Sequence, residues 1–109
     1  MSSVISTIFS GIKENKIDVV EKNLGRLPIL SFDCEQLDKI LGLLLVECKK
    51  FNNRGATALI IRSFEEVRCR IDEYPIIIGL LSNPFLDRDT VLFCYSCFPE
   101  KIVEMTEDI

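Results

Sequence analysis

The sequence predicts an all-α fold of stacked antiparallel helical hairpins, a short solenoid occupying residues 1–109 as a single helical-repeat-like domain, and three observations predict it. Apolar residues recur at helical spacing from Val4 to Met105. The segments they define are separated by short clusters of Asn, Gly and Pro, with no stretch long enough to act as a linker. Arg54-Gly55-Ala56-Thr57-Ala58-Leu59 and Arg88-Asp89-Thr90-Val91-Leu92 open alike, with Thr57 and Thr90 33 residues apart, the spacing of a helix-pair repeat. A compact bundle of six or seven helices is the alternative.

The first helix follows from Val4, Ile5, Ile8, Phe9 and Ile12, which fall on one stripe. Glu14-Asn15-Lys16 interrupts it, and Ile17, Val20, Leu24 and Leu27 carry a second helix until Pro28 forbids continuation. Leu37, Ile40, Leu41, Leu44, Leu45 and Cys48 form an unbroken helical pattern between Asp33 and Phe51, capped by Ser31 or Asp33, with Leu43 and Val46 widening the apolar arc. That helix is the expected spine of the core. Asn52-Asn53-Arg54-Gly55 reads as a turn, and a fourth helix is expected from near Thr57, with Leu59, Ile60, Ile61, Phe64 and Val67 as its apolar face.

Asp72-Glu73-Tyr74-Pro75 reads as a helix start, with proline in the first turn and acids at the positive end of the dipole. Ile76 to Leu81 follows as a short buried helix, with a strand over Ile76-Ile77-Ile78 as the competing reading. Asn83-Pro84 ends that element, and Asp87 or Asp89 caps a sixth helix bearing Val91, Leu92, Cys94, Tyr95 and Phe98. Pro99-Glu100 starts a last one with Ile102, Val103 and Met105. Gly42 and Gly79 inside apolar helices imply close packing at both positions.

Three segments resemble the ankyrin family. Gly55-Ala56-Thr57-Ala58-Leu59-Ile60 resembles its helix-opening pattern, Gly-x-Thr-Pro-Leu-His, and Asp89-Thr90-Val91-Leu92-Phe93 with Pro99-Glu100-Lys101-Ile102-Val103 resembles a whole repeat. Gly11 to Leu24 resembles the family's inter-helix turn and second helix, with Asn15 where the family has Gly. The resemblance implies a non-enzymatic protein–protein interaction module whose turn tips carry recognition. Ile60 and Phe93 stand where the family has His, which implies that packing replaces that residue's hydrogen bonds.

The partner-binding candidates carried over by motif are Asn52, Asn53 and Arg54 at one tip and Phe85, Leu86, Asp87 and Arg88 at the next. Phe85 and Leu86 suit an interface anchor, or tuck under the preceding helix as core. The expected partner is another protein. The alternative is a structural, self-associating subunit of a larger helical assembly, a homo-oligomer motivated by a 48% hydrophobic fraction and mean hydropathy of +0.24 in so small a chain.

Charge and composition narrow the classes. Residues 1–70 hold 11 basic and 9 acidic side chains and residues 71–109 hold 2 and 8, so neither half offers the basic stripe that nucleic acid needs. Runs such as Leu43 to Val46 and Ile76 to Leu81 are far below the roughly 20 residues of a membrane span. The N-terminal stretch lacks the early cations of a signal peptide, and the expected location is cytoplasmic. The absence of histidine removes Ser-His, Cys-His and His-metal constellations, and with no phosphate-cradling glycine loop the chain is expected to be no enzyme and to hold no cofactor. The five cysteines are expected to be reduced, mostly core residues, including Cys94-x-x-Cys97, which lacks further ligands at zinc spacing.

Overall fold

In the computed structural model, residues 2–71 and 79–98 are described, and among them all regular structure is helical: α1 (Ser2–Lys13), α2 (Ile17–Leu24), α3 (Cys34–Lys50), α4 (Arg54–Ile71) and α5 (Arg88–Ser96), with 3₁₀ turns at Ile29–Ser31 and Leu80–Ser82. Of the predicted helix from Ile76 to Leu81, its start at Asp72 to Pro75 and the stretch Ile76 to Ile78, where a strand is the competing reading, lie outside the described residues, while its far end enters the 3₁₀ turn Leu80–Ser82. The predicted last helix after Pro99 also lies outside them.

Each helix has a local cause. Asp33 caps α3 as predicted, its carboxylate accepting from the Gln36 N–H (2.8 Å) while the Gln36 side chain accepts from the Asp33 N–H (3.1 Å), a closed capping box. Asp87 caps α5 by accepting from the Thr90 N–H (2.9 Å). The fourth helix starts at Arg54, earlier than the predicted Thr57, because Asn53 caps it: its side-chain oxygen accepts from the Ala56 N–H (3.0 Å) and its carbonyl from the Thr57 N–H (3.2 Å) and hydroxyl (2.8 Å). The second helix ends at Leu24, short of Pro28, where the Gly25 N–H donates to the Glu21 carbonyl (3.2 Å) and the Arg26 N–H to the Asn23 carbonyl (3.1 Å).

Helix α1 packs on α2 and α3, α2 on α4, α3 on α4, and α5 on α3. Ile8, Ile12, Val20, Leu24, Leu41, Leu44, Leu45, Ile60, Ile61, Phe64, Val91 and Cys94 join in one buried cluster. Two glycines set close approaches. A Cβ at Gly11 would stand 2.9 Å from Val20 Cγ2, so the missing side chain lets α2 lie against α1. One at Gly42 would stand 2.8 Å from Phe85 Cβ and 3.2 Å from the Phe85 carbonyl oxygen, so the loop before α5 rests on the bare backbone of α3. Among the described residues nothing lies within 4 Å of a Cβ added at Gly79, so the close packing expected there is not seen.

Of the thiols expected in the core, Cys48 and Cys94 are buried, Cys97 is half-buried, Cys34 is exposed at the start of α3, and the side chain of Cys69 lies outside the described residues. Cys48 and Cys94 are fully buried, and burial pushes each thiol up to about 12. At that value both remain protonated and unreactive near neutral pH.

Candidate functional site

The turns that join the helices are built from the same backbone bonds. After α1, the Glu14 N–H donates to the Ser10 carbonyl (3.0 Å), Asn15 to Ile12 (3.3 Å) and Lys16 to Gly11 (2.8 Å); after α3, Phe51 donates to Glu47 (3.1 Å), Asn52 to Lys49 (3.0 Å) and Asn53 to Cys48 (2.8 Å). Both sets are the doubly bonded helix stop that closes around a left-handed residue, and that residue is asparagine each time, Asn15 at φ 56° and Asn52 at φ 51°. The two turns therefore repeat at an offset of 37 residues, and buried positions follow them: Ile8, Val20, Leu24 and Leu27 match Leu45, Thr57, Ile61 and Phe64. Thr57 and Thr90 occupy different helical positions, the fourth of α4 and the third of α5.

Asn53 ties the two turns together. It is 6% exposed, and its side-chain amide donates to the Ile12 carbonyl (3.1 Å) at the end of α1 while its oxygen caps α4. Its groups are thus spent inside the fold. Asn52 is exposed on the same turn. Arg54, also exposed, reaches across to the end of α5, donating to the Ser96 hydroxyl (3.1 Å) and carbonyl (3.4 Å) and lying 5.5 Å above the centre of the Phe93 ring.

The second predicted tip stands elsewhere. Phe85, Leu86 and Asp87 lead into α5 and Arg88 is its first residue, whereas Arg54 touches its C-terminal end, so the length of that helix, roughly 13 Å at 1.5 Å per residue, separates the two clusters. Phe85 is 40% exposed although its backbone rests on Gly42, and Leu86 is half-buried against the core. Asn83, 4% exposed, fixes this loop by donating from its amide to the Asp38 carbonyl (3.0 Å) and accepting from the Phe85 N–H (2.9 Å). The Thr90 hydroxyl and N–H hold the Asp87 carboxyl below its ordinary value. Leu30 and Leu81, on the loops ahead of α3 and α5, are 73% and 67% exposed.

A cleft of about 250 Å³ opens between the ends of α1 and α3, lined by Phe9, Ser10, Lys13, Glu47, Lys50 and Phe51. Comparison with family models, curated proteins and solved structures gives no match for the chain.

The site is therefore read from this chemistry alone. Among the described residues no group of three His, Cys, Asp or Glu side chains could hold a metal ion, and no helix is long and apolar enough to cross a membrane. What the described surface does offer is contact area: exposed apolar side chains on the loops ahead of α3 and α5, and cations at the hairpin turns. Sequence reasoning missed the cleft and the inward role of Asn53. The recurrence of Lys-x-Asn at Lys13 to Asn15 and Lys50 to Asn52 marks the paired turns beside the cleft, whereas no sequence signal marks the inward turn of Asn53, which matches Lys16 in the first turn.

Proposed function

We propose that this chain is a non-enzymatic protein–protein interaction module built of stacked, degenerate ankyrin-like helical hairpins. The observation that carries the reading is the recurrence of one turn, bond for bond, after α1 and after α3, combined with the packing of α1 on α3 and α2 on α4. Two hairpins laid in register account for both. Helix α5 then takes the place of a first helix in a third unit, because it packs on α3 and brings its C-terminal end to the α3–α4 turn through Arg54. Such arrays bury their cores between neighbouring units and leave the loops and one face for partners. The partner surface of this module is the loop before α5, where Phe85 stands exposed beside Asp87 and Arg88, together with Leu30 and Leu81.

The test is photocross-linking with p-benzoylphenylalanine placed at Phe85 in the full chain, expressed in its native cell, with the same group at the exposed Glu21 on α2 as control. A defined adduct from position 85 and none from position 21 is the expected result. Adducts only between copies of the chain, together with a stable oligomer by light scattering, would replace this reading with a self-associating structural subunit.

A further inference from the structure

The described charges at the two hairpin turns are Lys13, Lys16, Lys49, Lys50 and Arg54 against Glu14 and Glu47. Both acids are already held by lysines, Glu14 to Lys16 at 3.4 Å and Glu47 to Lys50 at 3.9 Å. Lys13 makes no ion pair or hydrogen bond among the described residues, and Lys50 lies 5.5 Å above the centre of the Phe51 ring. Lys13 and Lys50 end α1 and α3, where a cation favours the negative end of the helix dipole. That role explains their sign. It does not explain the opening between them, whose walls are two half-buried phenylalanines, Phe9 and Phe51, and whose volume of about 250 Å³ lies below the range of about 300–1,000 Å³ typical of small-molecule pockets. The lining is mixed, with Phe9 and Phe51 giving apolar surface, Ser10 and Glu47 polar surface, and the charge of Glu47 offset by Lys50, so that Lys13 leaves the rim net cationic; a space of that size and character suits one large side chain flanked by carboxylates. It does not suit a polyanion backbone, which needs a track of cations, because Arg54 is turned away to Ser96 and Phe93.

We propose that the cleft between the ends of α1 and α3 is a docking site for an acidic peptide segment bearing one large apolar side chain. Its carboxylates meet Lys13 and Lys50, and the apolar side chain lies between Phe9 and Phe51. This inference rests on the interaction-module reading and names the chemistry of one class of partner.

The test uses the full chain and three fluorescein-labelled peptides: a phenylalanine with three glutamates on each side, the same peptide with serine in place of the phenylalanine, and the same with lysines in place of the glutamates. Fluorescence anisotropy should show saturable binding of the first alone. The exposed lysines can be reversed without touching the core, and Lys13→Glu with Lys50→Glu should weaken that binding about tenfold or more, as should a rise in ionic strength that screens the rim. Equal binding of the serine peptide, undiminished affinity in the charge-reversed variant, or tighter binding of a single-stranded oligonucleotide of equal charge overturns the proposal. The cross-linker at Phe85 separates the two readings. A chain that still forms its adduct but binds no acidic peptide loses the cleft site and keeps the interaction module, whereas one that does neither loses both.

Discussion

Replacing Asn53 by alanine removes two bonds of different reach, and their costs can be worked separately. The cap on α4, worth about 1 kcal/mol in comparable helices, is lost with the side-chain oxygen. The bond to the Ile12 carbonyl is lost with the amide; that carbonyl keeps the longer bond from the Asn15 N–H (3.3 Å), so the loss is about 1 kcal/mol and not the full penalty of an orphaned group. The site is 6% exposed, so water does not refill it, and Asn53→Ala should cost about 2 kcal/mol in all. Asn53→Ser keeps a capping oxygen but cannot reach Ile12, and should cost about 1 kcal/mol. Asn53→Asp keeps the cap yet turns a carboxylate toward the Ile12 carbonyl, and should be at least as harmful as alanine. Urea unfolding followed by far-UV circular dichroism measures all three. A serine variant as stable as the parent would refute the claim that this amide fastens one hairpin turn to the other.

Three further outcomes are expected. Gly42→Ala should destabilise by about 1–2 kcal/mol despite the better helix former, because the new methyl meets Phe85 at 2.8 Å, whereas Gly79→Ala, at φ −66° with open space around it, should be neutral or stabilising; equal thermal shifts for the two would contradict the packing described. Asn15→Ala and Asn52→Ala should each cost about 1 kcal/mol and the corresponding glycine variants little or nothing, since both residues hold a left-handed φ; unlike behaviour at the two sites would break their equivalence. Cys48 and Cys94 sit above their ordinary 9.0 in the folded state, so the stability they contribute is present below that value and is lost as pH climbs from there through about 12. At about pH 10 this amounts to on the order of 1 kcal/mol per thiol, and the variant carrying Cys48→Ala and Cys94→Ala should lose most of that alkaline slope in urea titrations; an unchanged slope would place its origin elsewhere.

Helix identity was legible wherever the apolar pattern ran long, as from Leu37 to Cys48, and the cap at Asp33 was legible because a short acid stood just ahead of that pattern. The start of α4 was not, because Asn53 reads equally well as a turn residue and as a cap, and only its bond to Ile12, 41 residues away, decides between them. The turn geometry that recurs lies at Asn15 and Asn52. Thr57 and Thr90 invite comparison because both follow a similar helix opening, but they occupy different positions, the fourth of α4 and the third of α5. Over residues 2–27 and 39–64, only the pairs Lys13 with Lys50 and Asn15 with Asn52 are identical, since a doubly bonded helix stop demands one left-handed residue and little else. Of the residues named at the two tips, Asn52, Asn53 and Phe85 to Asp87 lie in connections while Arg54 and Arg88 open α4 and α5, and sequence carries no measure of the distance that α5 sets between Arg54 and Phe85.

The two kinds of bond at the hairpin turns also set an order of events. The helix stops close between residues at most five apart, such as Lys16 with Gly11 and Asn53 with Cys48, and so ask for little loop entropy. The ties from Asn53 to Ile12, Arg54 to Ser96 and Asn83 to Asp38 span 41, 42 and 45 residues and form only after the units have met. Each hairpin should thus assemble quickly on local contacts, with the collision of finished hairpins the expected slow step. Damage to Asn15 or Asn52 should then slow folding, while damage to the long-range ties should leave the folding rate near its parent value and shorten the lifetime of the native state.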